Sequence, residues 1–153
     1  MKRSTHVLFG VSLSIFILSP RPSNLVYIIA MSIIGSYLPD ADLRIKHRMM
    51  LHNLFVLMLF SIMFYLVLDY ISSYDPLLLV ISFDIGFISH ILLDMFTYAG
   101  VSLFYPFSKK RYRIARLRSD SPLANMFFSA IALVLIFLWA YHNKLINTKP
   151  FGL

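Results

Sequence analysis

The chain has 153 residues, 59% of them hydrophobic and 14% charged, whereas an ordinary soluble domain carries about a quarter charged residues; this apolar excess excludes a typical water-soluble core. No cysteine is present, so disulfides and thiolate metal sites are excluded, and any metal must be held by histidine nitrogen and carboxylate oxygen. All seven acidic residues are Asp and the net charge is +7, a balance compatible with nucleic acid, anionic lipid or membrane topology until its distribution is read.

Five apolar runs follow in chain order. Residues 7–19 form the first, ended by Pro20-Arg21-Pro22. Residues 25–38 form the second, stopped at Pro39 because the residue before a proline avoids the helical region. Residues 53–71 form the third. The fourth, 77–96, starts after Pro76, and the fifth, 123–141, is introduced by Ser121-Pro122; proline suits the first turn of a helix. Crossing a bilayer takes about 20 apolar residues. The last three runs reach that length. The first two are short, so they either span with help from their flanks or form a shallow helical hairpin. Lys2 and Arg3 before an apolar run resemble a signal peptide, but Pro-Arg-Pro follows where a small-residue cleavage site would be needed. The expectation is an all-α, polytopic helical membrane protein of about five helices, one integral membrane domain over 1–153 with its last helix at about 122–141.

The basic residues support five spans. If loops alternate sides, one side carries Lys2 and Arg3, then Arg44, Lys46 and Arg48, then Lys109, Lys110, Arg111, Arg113, Arg116 and Arg118. The other side carries only Arg21, Lys144 and Lys149. Positive charge stays cytoplasmic, which predicts an N-terminus inside and a C-terminus outside.

With that topology, His6, Asp40, Asp42, His47, His52, His90 and Asp94 converge on the cytoplasmic face from three separated segments. Nothing in hydropathy requires this. His90 and Asp94 are spaced i, i+4, about 40° apart around a helix, and so project the same way. They lie in an apolar run, where ionisable groups are costly and usually functional. Taken alone, such a pair is more often a mutually satisfied polar pair than a metal site. Asp40-x-Asp42 reads either as a solvated turn or as metal-binding carboxylates. His47-Arg48 and His52 read either as a positive-inside loop or as imidazole ligands beside an anion-holding cation. His6 taken alone reads as structural. Together the seven suffice for a mono- or dinuclear site, and mixed N/O donors fit Zn, Mn or Fe.

Asp84 lies six residues before His90, about 9 Å deeper and rotated about 120°, which makes it a hydrogen-bonding partner rather than a ligand. Asp69, Asp75 and His142 fall on the opposite face and read as solvated. The basic stretch 109–118 is first of all a topology signal and an attraction to anionic membrane lipid. Its sharper reading is capture of a phosphate-bearing substrate. There is no recognisable nucleic-acid motif.

These residues form a pattern. His6 precedes the first helix with Phe9-Gly10 after it; Leu38-Pro39-Asp40-x-Asp42, His47-Arg48-x-x-x-His52 and Ser89-His90-x-x-x-Asp94 follow, the last running on into Gly100-Val101-x-Leu103-Phe104-x-Pro106-Phe107-Ser108. In this the chain resembles the YdjM-type membrane-bound metal-dependent hydrolases, over residues 6–108. That family is in turn similar to the zinc-dependent phospholipase C and nuclease superfamily. The resemblance implies a helical fold holding one or two divalent ions, zinc in the first place, that hydrolyses phosphoesters. It implies His6, Asp40, His52, His90 and Asp94 as ligands, with Asp42 and His47 either ligating or supporting the ligands. Leu51 stands where the family usually has Thr, and Met49 where Gly is common.

The sequence thus points to a hydrolase of phosphoester bonds at the cytoplasmic interface, acting on an amphiphilic substrate such as a phosphate-bearing lipid. Asp40 or Asp94 would handle the proton of the attacking water and Arg48 would hold developing negative charge. The competing reading is a non-enzymatic membrane scaffold whose polar or metal cluster fastens the loop to the helix ends while the basic stretch recruits a cytoplasmic partner or anionic lipid. A metal transporter fits less well, because only Asp84 lies at depth.

Overall fold

The computed structural model of the chain describes residues 1–44, 50–71, 74–143 and 145, the backbone alone at 42–44. It contains five α-helices: α1 (Arg3–Leu18), α2 (Pro22–Tyr37), α3 (Leu54–Ile71), α4 (Pro76–Met95) and α5 (Pro122–His142). A 3-10 turn over Leu38–Arg44 continues α2. No strand occurs among the described residues, only two isolated bridges.

The ends of the helices have local causes. α2, α4 and α5 each start with proline in the first turn, where the missing N–H would have had no helical partner. Asp75 caps α4 by accepting from the Leu77 N–H at 2.9 Å, and Ser121 caps α5 from the Ala124 N–H at 3.4 Å. α1 stops at Ser19, whose left-handed conformation (φ 41°) turns the chain into α2.

α2 with its 3-10 turn (Pro22–Ala41), α3, α4 and α5 are each long and apolar enough to cross a membrane. α1, with 16 residues, is shorter. It nevertheless runs beside α5 from end to end. Thr5 Oγ1 donates to Asn125 Oδ1 at 2.9 Å near their N-termini, and Asn143 Nδ2 donates to Ser19 Oγ at 3.1 Å near their C-termini.

α4 is the central helix, packed against α1, α2 and α3, while α1 also packs against α2 and α5. Lipid tails are as apolar as leucine, so helices in a bilayer associate through close packing and interhelical hydrogen bonds. Both are found here. Gly35 of α2 lies against the Phe83 carbonyl of α4, and Gly86 of α4 against the Ser32 carbonyl of α2, leaving no room for a Cβ at either position. Around this contact Ser14 Oγ donates to Ser32 Oγ at 2.9 Å and Ser36 Oγ to the Gly86 carbonyl at 3.3 Å. The outward faces carry large apolar side chains such as Val26, Leu66 and Leu123, as a surface facing lipid requires.

The segment between α4 and α5 is folded back onto the end of α4. Ile114 N–H donates to the Met95 carbonyl (2.8 Å), Leu117 N–H to Phe96 (2.9 Å) and Tyr98 N–H to Leu117 (3.1 Å), while Val101 and Tyr112 exchange both backbone bonds. The basic stretch therefore has a defined position at the same end of the bundle as the N-termini of α1, α3 and α5 and the C-termini of α2 and α4.

Candidate metal centre

Four segments place five side chains together at that end. His6 comes from the first turns of α1 and Asp40 from the 3-10 turn after α2. His52 lies just before α3, and His90 and Asp94 come from the last turns of α4. Two overlapping triads, His6/His90/Asp94 and Asp40/His52/His90, are each compact enough to hold a metal ion. The three imidazoles are almost wholly buried, and the carboxylates of Asp40 and Asp94 are 10% and 14% exposed.

His90 is the member common to both triads. Its Nδ1–H donates to the Ser36 carbonyl at 2.7 Å. A carbonyl can only accept, so this bond fixes the tautomer, and in the neutral ring Nε2 carries the lone pair. Nε2 points at two further acceptors, Asp40 Oδ1 and Asp94 Oδ2, each at 3.6 Å. Among the described residues it has no hydrogen-bond partner, and neither does Nδ1 of His6. Buried polar nitrogens without partners are uncommon. His52 Nε2 lies 3.5 Å from Asp94 Oδ2 and 3.9 Å from Asp40 Oδ1, and His6 Nε2 lies 3.3 Å from Asp94 Oδ1. These separations exceed ordinary hydrogen bonds. All but the 3.9 Å separation match the spacing of neighbouring ligand atoms around a tetrahedral ion, about 3.3–3.6 Å for bonds of about 2.0–2.2 Å. The residues therefore fit a divalent cation, and a donor set of imidazole nitrogen and carboxylate oxygen suits Zn, Mn or Fe.

The rings are held by one another and by the bundle. His6 stacks on His90 with centroids 3.9 Å apart, and His52 meets His90 edge-on at 5.3 Å. Cations also reach the carboxylates. The Met1 α-ammonium group lies 3.1 Å from Asp94 Oδ1. Arg3 Nε lies 3.6 Å from Asp40 Oδ2 and its guanidinium sits over the Tyr37 ring.

Five of the seven ligands expected from the sequence are thus brought together. His47 and Arg48 lie outside the described residues, as does the side chain of Asp42. His6, structural when read alone, is an integral member of the cluster. Asp84 stands apart, as its rotation from His90 predicts: Ser61 Oγ of α3 donates to its Oδ1 at 2.6 Å. Asp75 caps a helix. Two participants escaped the sequence reading. Arg3 precedes His6 by three residues and so shares its helical face, a signal that was available. The Ser36 carbonyl has no signature, because a backbone acceptor is common to every residue type.

Beside the cluster, the 96–121 segment borders an open polar pocket of about 270 Å3 walled by Asp94, Thr97, Tyr98, Arg118 and Asp120 among others. Arg118 and Asp120 form a two-bond pair, Nε to Oδ1 at 3.2 Å and Nη2 to Oδ2 at 3.0 Å. These hydrogen bonds raise the Arg118 guanidinium above its ordinary pKa and hold the Asp120 carboxyl below the usual carboxylate range.

A family model described as "YdjM inner membrane protein" matches residues 1–149. No curated protein and no solved structure gives a match. With apolar helices of membrane-crossing length and a family match over nearly its whole length, the chain is an integral membrane protein and belongs to the YdjM inner membrane protein family.

Proposed function

We propose that this protein is a membrane-embedded metal-dependent hydrolase that cleaves phosphoester bonds of an amphiphilic substrate at the cytoplasmic membrane interface. The observation that carries this reading is the environment of His90 Nε2: a buried lone pair, oriented by the Ser36 carbonyl, facing two carboxylate oxygens at 3.6 Å. Such convergence of acceptors is costly unless a cation sits among them.

His6, Asp40, His52, His90 and Asp94 would hold one or two divalent ions, zinc first among them, with Asp42 and His47 as further ligands or supports. Bound there, a divalent cation supplies Lewis acidity and makes water nucleophilic at neutral pH. Asp40 and Asp94 offer carboxylate oxygens that can take up a proton. Arg3 holds Asp40 in place through its Nε and leaves an exposed guanidinium at the rim. Arg48 remains assigned to the developing negative charge of the reacting group. The cluster lies where apolar helices give way to basic polar chain, which suits a phosphate at headgroup level with an apolar tail in lipid.

The orientation, N-terminus cytoplasmic and C-terminus outside, follows from the basic residues. It is testable because the chain has no cysteine. A single Ser108→Cys should react with impermeant thiol reagents only in inverted vesicles; labelling in intact cells would reverse the assignment.

The reading is tested by metal content in purified wild type beside His90→Ala and His52→Ala, followed by turnover on a panel of lipid phosphates and phosphodiesters. About one or two equivalents in wild type, lost in both folded variants, with turnover of at least one phosphoester, is the expected result. No metal after loading would sink it. The scaffold reading draws on the Met1 ammonium and Arg3, which already place positive charge against the two carboxylates. Under it, Arg48→Ala lowers stability at most. Under the hydrolase reading, Arg48→Ala removes turnover and leaves metal content intact.

A further inference from the structure

The pocket beside the metal centre is a distinct feature. It lies between the end of α4 and the returning 96–121 segment, and Asp94 belongs both to the metal cluster and to the pocket wall. Its volume is about 270 Å3. That is room for a phosphate group with part of what it is attached to.

The cations of the 109–118 stretch are not equivalent. Arg113 Nη1 donates to the Tyr98 carbonyl at 3.2 Å, and Arg111 Nη1 to the Ala99 carbonyl at 3.4 Å, so these two guanidiniums bind the segment to itself. Lys110 lies over the Tyr112 ring. Arg118 alone among these lines the pocket. Its backbone is well placed to stay there. Leu117 is bonded on both sides to the end of α4, through its N–H to Phe96 and its carbonyl to Tyr98, and the Arg118 carbonyl accepts from Ser121 N–H at 3.1 Å.

The present partner of Arg118 is replaceable. The Arg118 and Asp120 side chains are 74% and 69% exposed, and ion pairs this open to water contribute little stability. A phosphate offers the same two-oxygen geometry to a guanidinium and carries more charge than one carboxylate.

We propose that this pocket is an anion subsite in which Arg118 holds a phosphate group of the substrate through two parallel hydrogen bonds, with Asp120 occupying Arg118 in its absence. The subsite deepens the hydrolase reading and rests on it, since Asp94, common to the cluster and the pocket wall, sets a phosphate held by Arg118 beside the metal centre. A soluble compound and a lipid headgroup present the same phosphate oxygens, and separate binding measurements distinguish the two sources.

The test uses the full chain in phosphatidylcholine nanodiscs. Dissociation constants are measured for inorganic phosphate, and separately for phosphatidic acid added to the bilayer. The variants are Arg118→Gln, Asp120→Asn and, as a control for diffuse charge, Lys110→Gln. All three positions are exposed, and a folding check by size exclusion accompanies each. Losing a two-bond charged contact should weaken binding of whichever phosphate source is held by about tenfold or more. Asp120→Asn should tighten it severalfold by removing the internal competitor, while Lys110→Gln should change it less than about twofold. The source whose constant responds in this pattern is the one the subsite takes. Equal weakening by Arg118→Gln and Lys110→Gln, no tightening by Asp120→Asn, or no binding of either source by wild type would overturn the subsite. Metal content of the same samples is read independently. The subsite can thus fail with metal in place, and the hydrolase reading can fail with phosphate still bound through Arg118.

Discussion

α3 and α4 are alike in sequence character and opposite in role. Both are long, apolar helices of membrane-crossing length. α3 buries a single residue, Leu57, whereas α4 buries one in two of its residues, including Ser82, Gly86, Ser89 and His90. α3 touches the bundle through α4, by the Ser61–Asp84 hydrogen bond and the edge of Phe64 against Phe83. Hydropathy does not separate the two, because a lipid tail and a neighbouring leucine are equivalent surroundings for an apolar side chain. Small and polar residues on one face separate them, since they allow backbones to approach and supply interhelical hydrogen bonds. The candidate metal centre stands on the helix that has those residues.

The largest expected effect comes from chelating the ion that the cluster on α4 would hold. With metal about a thousandfold above its dissociation constant, chelation should lower stability by about 4 kcal/mol, and in His90→Ala chelation should change nothing. Equal chelator sensitivity in both proteins would detach the centre from His90. Next, Gly86→Val places side-chain atoms against the Ser32 carbonyl and should cost about 3 kcal/mol, read by denaturation in mixed micelles. Unchanged stability would mean that the α2–α4 contact is not the close approach described. On the α3 side, Ser61→Ala removes the donor to Asp84 and should cost only about 0.6 kcal/mol, with an upper limit near about 1.7. The smallest effect belongs to Leu66→Ala on the lipid face of α3, expected within about 0.5 kcal/mol. A larger loss there would mean that a partner, rather than lipid, covers α3.

Much of the site was legible before the fold. The i, i+4 spacing of His90 and Asp94 did place both side chains in one cluster, and the charge distribution puts His6, Asp40 and His52 at the same end of the bundle. Asp84 meets Ser61 rather than the cluster, as its rotation from His90 predicts. The arrangement of the ligands was not legible. That His6 stacks on His90, or that His90 belongs to both triads, depends on how α1 and α4 cross, and no local pattern encodes this. The basic stretch reads from sequence as a topology signal. Its backbone pairing with the end of α4, which sets Arg118 apart from Arg111 and Arg113, comes from hydrogen bonds between residues some twenty positions apart.

The sequence by itself determined that this protein lies in a membrane, that it is helical, and which side chains are available to a metal. These follow from composition and local periodicity, because a bilayer leaves the backbone few alternatives to a helix and the absence of cysteine limits the donors to imidazole and carboxylate. Only the tertiary structure decided which helix is central, which five donors meet, and which nitrogen of His90 faces the two carboxylates. The reason is geometric: Gly35, Gly86 and the serines between α2 and α4 bring the backbones close enough for the Ser36 carbonyl to reach the His90 ring, and that one contact turns its other nitrogen toward Asp40 and Asp94.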